Sequence, residues 1–204
     1  MITVEPIPGL TLDETMYELA AAGVAEHTPH VGQLTWERFT DPAHWLHIPD
    51  LDGEISKSEL TLLNGVEATV KLNIWFRPDV RGGEDQQIPH NHRWSQFRGH
   101  LLRGAYAEAR YERTNVDPET GRAEVLITPR VVHESPGVNA VDHETYHEVL
   151  DVLVPATMSL MDCDRGELGN WGHLDLATGK QFRDQPVPTF EAMFAALNPH
   201  RAPR

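Results

Sequence analysis

Cys163 is the only cysteine in the 204-residue chain. No internal disulfide can form, and no cysteine-based zinc site can be built within one chain. Basic residues are also scarce: 17 Lys and Arg stand against 31 Asp and Glu, a formal net charge of -14. That balance argues against a nucleic-acid partner, whose phosphates are gripped by Lys and Arg, and against an anionic membrane surface. Neither a helix-turn-helix pattern nor a basic patch is evident. No apolar run approaches the roughly 20 residues of a membrane span. The N-terminal MITVEPIPGLTLDE lacks the basic-then-apolar order of a secretory leader. The expectation is a cytoplasmic protein with no nucleic acid and no membrane as partner.

What is present fits a soluble globular protein, with 40% hydrophobic and 24% charged residues. The length suits one domain with a sizeable core. Thr11 and Glu14 read as a capping box that opens a helix over 11–23, ended by Gly23. Residues 34–50 predict one or two short helical turns, interrupted by Pro42 and stopped by Pro49. The period then changes to two. Val66, Ala68, Val70, Leu72, Ile74 and Phe76 alternate with Glu67, Thr69, Lys71, Asn73 and Trp75, which predicts a half-buried strand. Pro78, Gly82 and Gly83 mark a loop.

Further along, residues 100–113 predict two strands broken at Gly104, followed by a turn at Asp117-Pro118 and Gly121. A strand pair broken near Pro129 is expected over 123–135, a loop over 135–144, and two strands divided at Pro155 over 145–164. Residues 164–182 read as an ordered loop, and Thr189 with Glu191 opens a last short helix. Many short strands with terminal helices are the pattern of a β-sandwich or barrel. The division expected within one domain is a helical extension over 1–60, a barrel over 61–185, and a C-terminal helix and tail over 186–204.

Twelve histidines are present, and position decides which matter. His90 and His92 lie two apart, so on a strand they share a face and can chelate one ion. The surrounding PHNHRWSQFRGHLLRGAY, residues 89–106, resembles the first motif of the cupin superfamily. That motif is His-x-His, a short spacer, usually an acid, then glycine. Gly104 takes the glycine position and Phe97 stands where the acid is usual; Gly83 lies one residue early for the leading glycine. The second cupin motif supplies one histidine ahead of an apolar strand. His147 takes that place in VDHETYHEVLDVLVPATMSLM, with Asp142 and Glu144 where proline and glycine are usual.

The resemblance implies a mostly β fold, a cupin-like double-stranded β-barrel (jelly roll) with short helices at both termini. It also implies one divalent ion on His90, His92 and His147. Lacking the acid, the set is similar to the three-histidine type, which includes thiol and diketone dioxygenases. Fe(II) is the expected ion; zinc, nickel, manganese and copper also suit such a site. His133 is a possible extra ligand.

A rival reading comes from His143-Glu144-x-x-His147, the zinc-protease signature. It needs a helix, and Gly137, Asn139, Pro155 and the valines at 149, 152 and 154 argue for strand instead. On a strand, His143 and His147 stand roughly 13 Å apart and cannot share an ion.

Around the histidines, Trp94, Phe97, Tyr106 and Trp171 are candidate pocket walls for substrate. Arg93 and Arg98 are candidates to clasp a substrate carboxylate. Glu144 and Tyr146 are candidate catalytic groups. The implied activity is a metal-dependent oxygenase using a small polar organic substrate and O2. A non-redox isomerase, lyase or decarboxylase using the metal as a Lewis acid stays open, as does a non-enzymatic ligand-binding barrel. Cupin barrels often pair through sheet edges, so a homodimer is also open.

Overall fold

In the computed structural model, residues 2–82, 87–166, 171–183 and 189–201 are described. The chain opens with a ribbon of β1 (Thr3–Val4) and β2 (Leu12–Asp13), then α1 (Glu14–His27) and the short α2 (Trp36–Thr40). Strands β3 (Trp45–Pro49), β4 (Ile55–Asn64), β5 (Thr69–Trp75), β6 (Gln96–Arg103), β7 (Ala105–Thr114), β8 (Glu124–Glu134), β9 (Gly137–Asp142), β10 (Thr145–Val152) and β11 (Thr157–Cys163) follow. A ribbon of β12 (His173–Asp175) and β13 (Lys180–Phe182) and then α3 (Phe190–Leu197) complete the order.

These strands form two antiparallel walls. One has six strands in the order β3-β4-β5-β11-β6-β9; the other has three, β10-β7-β8. Isolated bridges from His90 to His147 and to His173 extend the second wall to the β12–β13 ribbon. Asn73 and Ser159 from the first wall and Tyr106, His147 and Val149 from the second line one inner cavity. The architecture is the double-stranded β-barrel that the resemblance implied.

The chain crosses between walls at two adjacent corners. Gly104, at φ +80°, joins β6 to β7, and a Cβ there would collide with Thr157 in the other corner. Thr157 Oγ1 in turn accepts the Ala105 N–H at 3.0 Å. The glycine is required twice over, by its backbone angle and by this close approach.

Both faces of the six-stranded wall are covered. Leu60, Val70, Leu72, Ile74, Met158 and Leu160 point outward and pack under Leu12, Met16, Ala20, Val24, Phe39 and Trp45 of the N-terminal segment. Each large aliphatic side chain buried this way contributes roughly 1.5–3 kcal/mol. The alternate residues of β4 and β5, among them Lys57, Glu59, Lys71, Asn73 and Trp75, face the lumen.

Several expectations are corrected. α1 is capped by Asp13, whose Oδ1 accepts the Met16 N–H at 2.8 Å, and not by Thr11. It also runs through Gly23 to His27, because Gly23 is where Leu102 of β6 presses against the helix; a Cβ there would stand 2.6 Å from a Leu102 methyl. Residues 45–49 are a strand of alternating burial, so the six-stranded wall begins before residue 60 and that expected boundary falls inside β4. Residues 124–134 form one continuous strand, since β8 is an edge strand whose Pro129 leaves no ladder bond unmade; the shifted register opposite it absorbs the distortion. Residues 137–142, expected as loop, pair with β6 as β9. The ordered loop expected over 164–182 contains β12 and β13.

Thr189 precedes α3 as expected, although its side chain caps nothing. α3 docks on β3 through Asn198, which accepts the His47 N–H at 2.7 Å and donates to the His47 carbonyl at 2.8 Å. Among the described residues no helix is long and apolar enough to cross a membrane.

Candidate metal centre

His90 and His147 lie directly opposite each other. Their backbones exchange two hydrogen bonds, His90 N–H to His147 O at 3.2 Å and His147 N–H to His90 O at 2.9 Å. The two motif segments are thus held together by main chain, and both imidazoles project from the same seam. Asn91, between the two motif histidines, turns the other way. It donates to His143 O at 2.7 Å and accepts the Gly172 N–H at 2.7 Å, fixing the segment so that His92 follows His90 inward.

The ligand atoms of His90, His92 and His147 all lie within 4.8 Å of one another, and no other described histidine, cysteine or carboxylate forms such a group. His92 Nε2 and His147 Nε2 are 2.8 Å apart. Nitrogens bound about 2.1 Å from one ion at right angles stand about 3 Å apart, so the spacing suits a shared divalent metal. His90 Nδ1 is buried without a hydrogen-bond partner. Burial first, then Arg81 for His90 and the His147 ring for His92, push both imidazoles well below their usual pKa. Neutral rings are the form that ligates.

Behind His147 stands Glu108, fully buried on β7. Its Oε2 accepts from His147 Nδ1 at 2.9 Å, its Oε1 from His133 Nε2 at 3.0 Å and from Arg110 Nε at 2.6 Å. Burial alone would raise this carboxyl, but the hydrogen bonds from His133 and His147 outweigh it and hold it well below the ordinary range. An ionised Glu108 accepts a hydrogen bond from Nδ1–H and so leaves the His147 Nε2 lone pair facing the centre.

Two cavities meet at these rings. The outer one, about 240 Å³, is lined by Lys71, Arg81, Arg93, Trp94, Trp171 and His173 among others. The inner one, about 30 Å³, is lined by the three histidines, Asn73, Trp75, Asp79, Phe97, Tyr106 and Ser159 among others. Lys57, His90, His92 and Met161 border both. A chain of alternating charge runs along the wall: Lys71 to Glu59 at 2.9 Å, Glu59 to Lys57 at 3.3 Å, Lys57 to Asp79 at 3.5 Å, Asp79 to Arg81 at 3.4 Å. Burial pushes Glu59 up, but Lys71 and Lys57 prevail and bring it to about 2. Arg81 and Lys57 likewise hold Asp79 down against its burial. With Arg93, the cations at this mouth outnumber the carboxylates, opposite in sign to the whole chain.

The other sequence candidates divide. Arg93, Trp94 and Trp171 line the outer cavity and Phe97 and Tyr106 the inner one. Arg98 points away from Phe97 and pairs with Asp162 and Asp164 outside the barrel, so it cannot clasp a ligand in the lumen. Glu144 lies in the β9–β10 turn with its side chain 81% exposed, and Tyr146 is buried with Tyr111 and Leu174 on the face of β10 opposite His147. Neither reaches the triad. His133 bonds Glu108 instead of joining the ligands. His143 is on the same turn as Glu144, so the zinc-protease arrangement, which needs a helix, is absent. Gly83 lies outside the described residues.

Lys57, Glu59, Lys71, Asn73, Asp79, Arg81, Glu108 and His173 were not singled out from sequence. For Lys71 and Asn73 the signal was the polar half of the alternation over residues 66–76, read as one side of a half-buried strand; Asp79, Arg81, Glu108 and His173 lie outside it.

No family model matches the chain, and no curated protein does. Solved structures similar to the chain include one described as having a double-stranded beta-helix domain. KdgF from Halomonas sp. is 15% identical over 55% of this chain and 83% of that one, with a TM-score of 0.35. An uncharacterized conserved protein with double-stranded beta-helix domain from Klebsiella pneumoniae subsp. pneumoniae is 11% identical over 61% and 88%, TM-score 0.38. Oxalate decarboxylase from Lactobacillus farciminis is 11% identical over 61% of this chain and 32% of its own, TM-score 0.38. The fold assignment stands on the strand order itself, and the centre on its own distances.

Proposed function

We propose that the protein is a metal-dependent oxygenase, holding Fe(II) on His90, His92 and His147 and acting on a small anionic substrate with O2. The observation that carries this reading is the convergence of three imidazoles, with no carboxylate among them, beside a cation-rich mouth. Iron there would supply one-electron chemistry toward O2 and Lewis acidity toward a substrate oxygen. The chain's own groups do the rest. Glu108 accepts a hydrogen bond from His147 Nδ1, Lys71, Arg81 and Arg93 draw in an anion, and Trp94 and Phe97 cover His92 from water.

A non-redox isomerase or lyase is the second reading. It is favoured by Asp79 and Lys57, an ionised carboxylate and an ammonium beside the triad that could move a proton without any electron transfer.

Elemental analysis of protein purified without added metal is expected to give about one equivalent of iron, lost in His147→Ala. O2 uptake with Fe(II) and a panel of small carboxylic acids supports the oxygenase. Turnover of such an acid under strict anaerobiosis would move the assignment to the second reading, and absence of any bound metal would remove both.

A further inference from the structure

Asn73 is fully buried on the lumen face of β5, yet neither its amide nitrogen nor its amide oxygen has a hydrogen-bond partner. Leaving such a group unmet costs stability, and native cores rarely tolerate it without a use. Its neighbours in register are Glu59 on β4 and Ser159 on β11. Both are engaged elsewhere: Glu59 receives Lys57 and Lys71, and Ser159 Oγ accepts the Trp75 indole N–H at 3.2 Å. The amide is therefore a free donor and a free acceptor, presented to the inner cavity beside the three histidines. That cavity, about 30 Å³, has room for a group near the size of one water.

Two residues back on the same face, Lys71 lines the outer cavity with Arg81 and Arg93. Along a strand that is about 7 Å, a span of a few bonded atoms. An anionic group gripped in the mouth and a polar group reaching Asn73 must then belong to one short molecule. A second carboxylate is too large for the chamber and would meet Asp79. A carbonyl oxygen uses only the amide N–H, whereas a hydroxyl both accepts from Nδ2 and donates to Oδ1.

We propose that Asn73 is the specificity-determining residue for a short 2-hydroxy carboxylic acid. The carboxylate lies against the mouth cations and the hydroxyl enters the inner chamber. This deepens the metal-centre reading, on which it rests for the place where the substrate reacts.

Calorimetric titration with glycolate and with acetate, which differ by one hydroxyl, tests it. Metal content is measured on the same samples. The native protein is expected to bind glycolate about tenfold more tightly than acetate, as one hydrogen-bonded hydroxyl would give. Asn73→Leu is expected to remove that preference while leaving acetate affinity and metal content unchanged. It should also raise the melting temperature, since an unmet buried amide is replaced by an apolar group of similar volume. Asn73→Ala serves as a second variant and should lose the preference too.

Equal affinities in the native protein overturn the proposal. So does a preference that survives both substitutions, which would trace to chelation by the metal alone, and so does a fall in melting temperature for Asn73→Leu as large as for a bonded core amide. Metal present without hydroxyl discrimination sinks only this inference; no metal at all sinks the proposed function.

Discussion

The two faces of the six-stranded wall share a backbone and share almost nothing else. On the outer face, Leu60, Leu72, Ile74 and Leu160 lie against α1 and its flanking segment, dry and apolar. On the inner face, one residue out of step, Glu59 and Asn73 are buried and Lys57 and Lys71 half-buried, linked by charge or left unpaired. The first arrangement gains free energy from removing hydrocarbon from water. The second holds groups that water would otherwise satisfy, a cost that makes sense where a ligand completes them. Stability and recognition are thus separated across one sheet thickness.

The sharpest way to break this contrast is a truncation on the dry side. Leu72→Ala is expected to destabilise the fold by about 3 kcal/mol through lost burial and a residual cavity. Denaturant unfolding measures this, and the folded fraction should bind metal as before; a loss of metal affinity matching the loss of stability would mean the faces are coupled.

On the wet side the signature is pH. Glu59 sits at about 2 against an ordinary 4.5, so the native state binds fewer protons than the unfolded chain between those values. The stability this carboxylate contributes is present above pH 4.5 and is lost as pH falls through about 2. Glu59→Gln should therefore cost up to about 3 kcal/mol at pH 7 and progressively less below pH 4.5. The Leu72→Ala cost should not change across the same range; parallel pH dependence of the two variants would contradict the separation.

The variant on the facing wall is read at the metal and not at the fold. Glu108→Gln keeps the shape beside His147 but no longer fixes its Nδ1 proton. Metal affinity is expected to fall 10–100-fold in a chelator competition. Unchanged affinity would leave Glu108 a structural partner of Arg110, His133 and Asn139.

The legible part of the sequence was whatever depends on local spacing. His90 and His92 two apart, Gly104 at a corner and Pro155 between strands could be read because each acts over a few residues. The alternation was also seen: Val70, Leu72 and Ile74 of β5 are buried as expected, whereas Val66, ahead of the strand, is exposed and Phe76, past its end, is half-buried. Its polar set was given to solvent, because an antiparallel sheet commonly has one wet face. That Lys71 and Asn73 are instead enclosed follows from closure of the barrel, which no single strand reveals. Glu108 was hidden similarly: nothing in AYAEARYER shows that β10 will lie alongside with His147 in reach. β9 was lost for the opposite reason, since Pro136, Gly137 and Asn139 carry local turn signals that pairing with β6 overrides.

The seam between His90 and His147 has a further consequence. His92 and His147 are 55 positions apart along the chain. An ion gripped by both segments would act as a removable crosslink, subtracting from the unfolded chain the freedom of the long loop it closes. Loading with metal should then slow amide hydrogen exchange well beyond the coordinating rings, through the hairpins between those positions, so that occupancy of the centre is reported by the rigidity of the barrel around it.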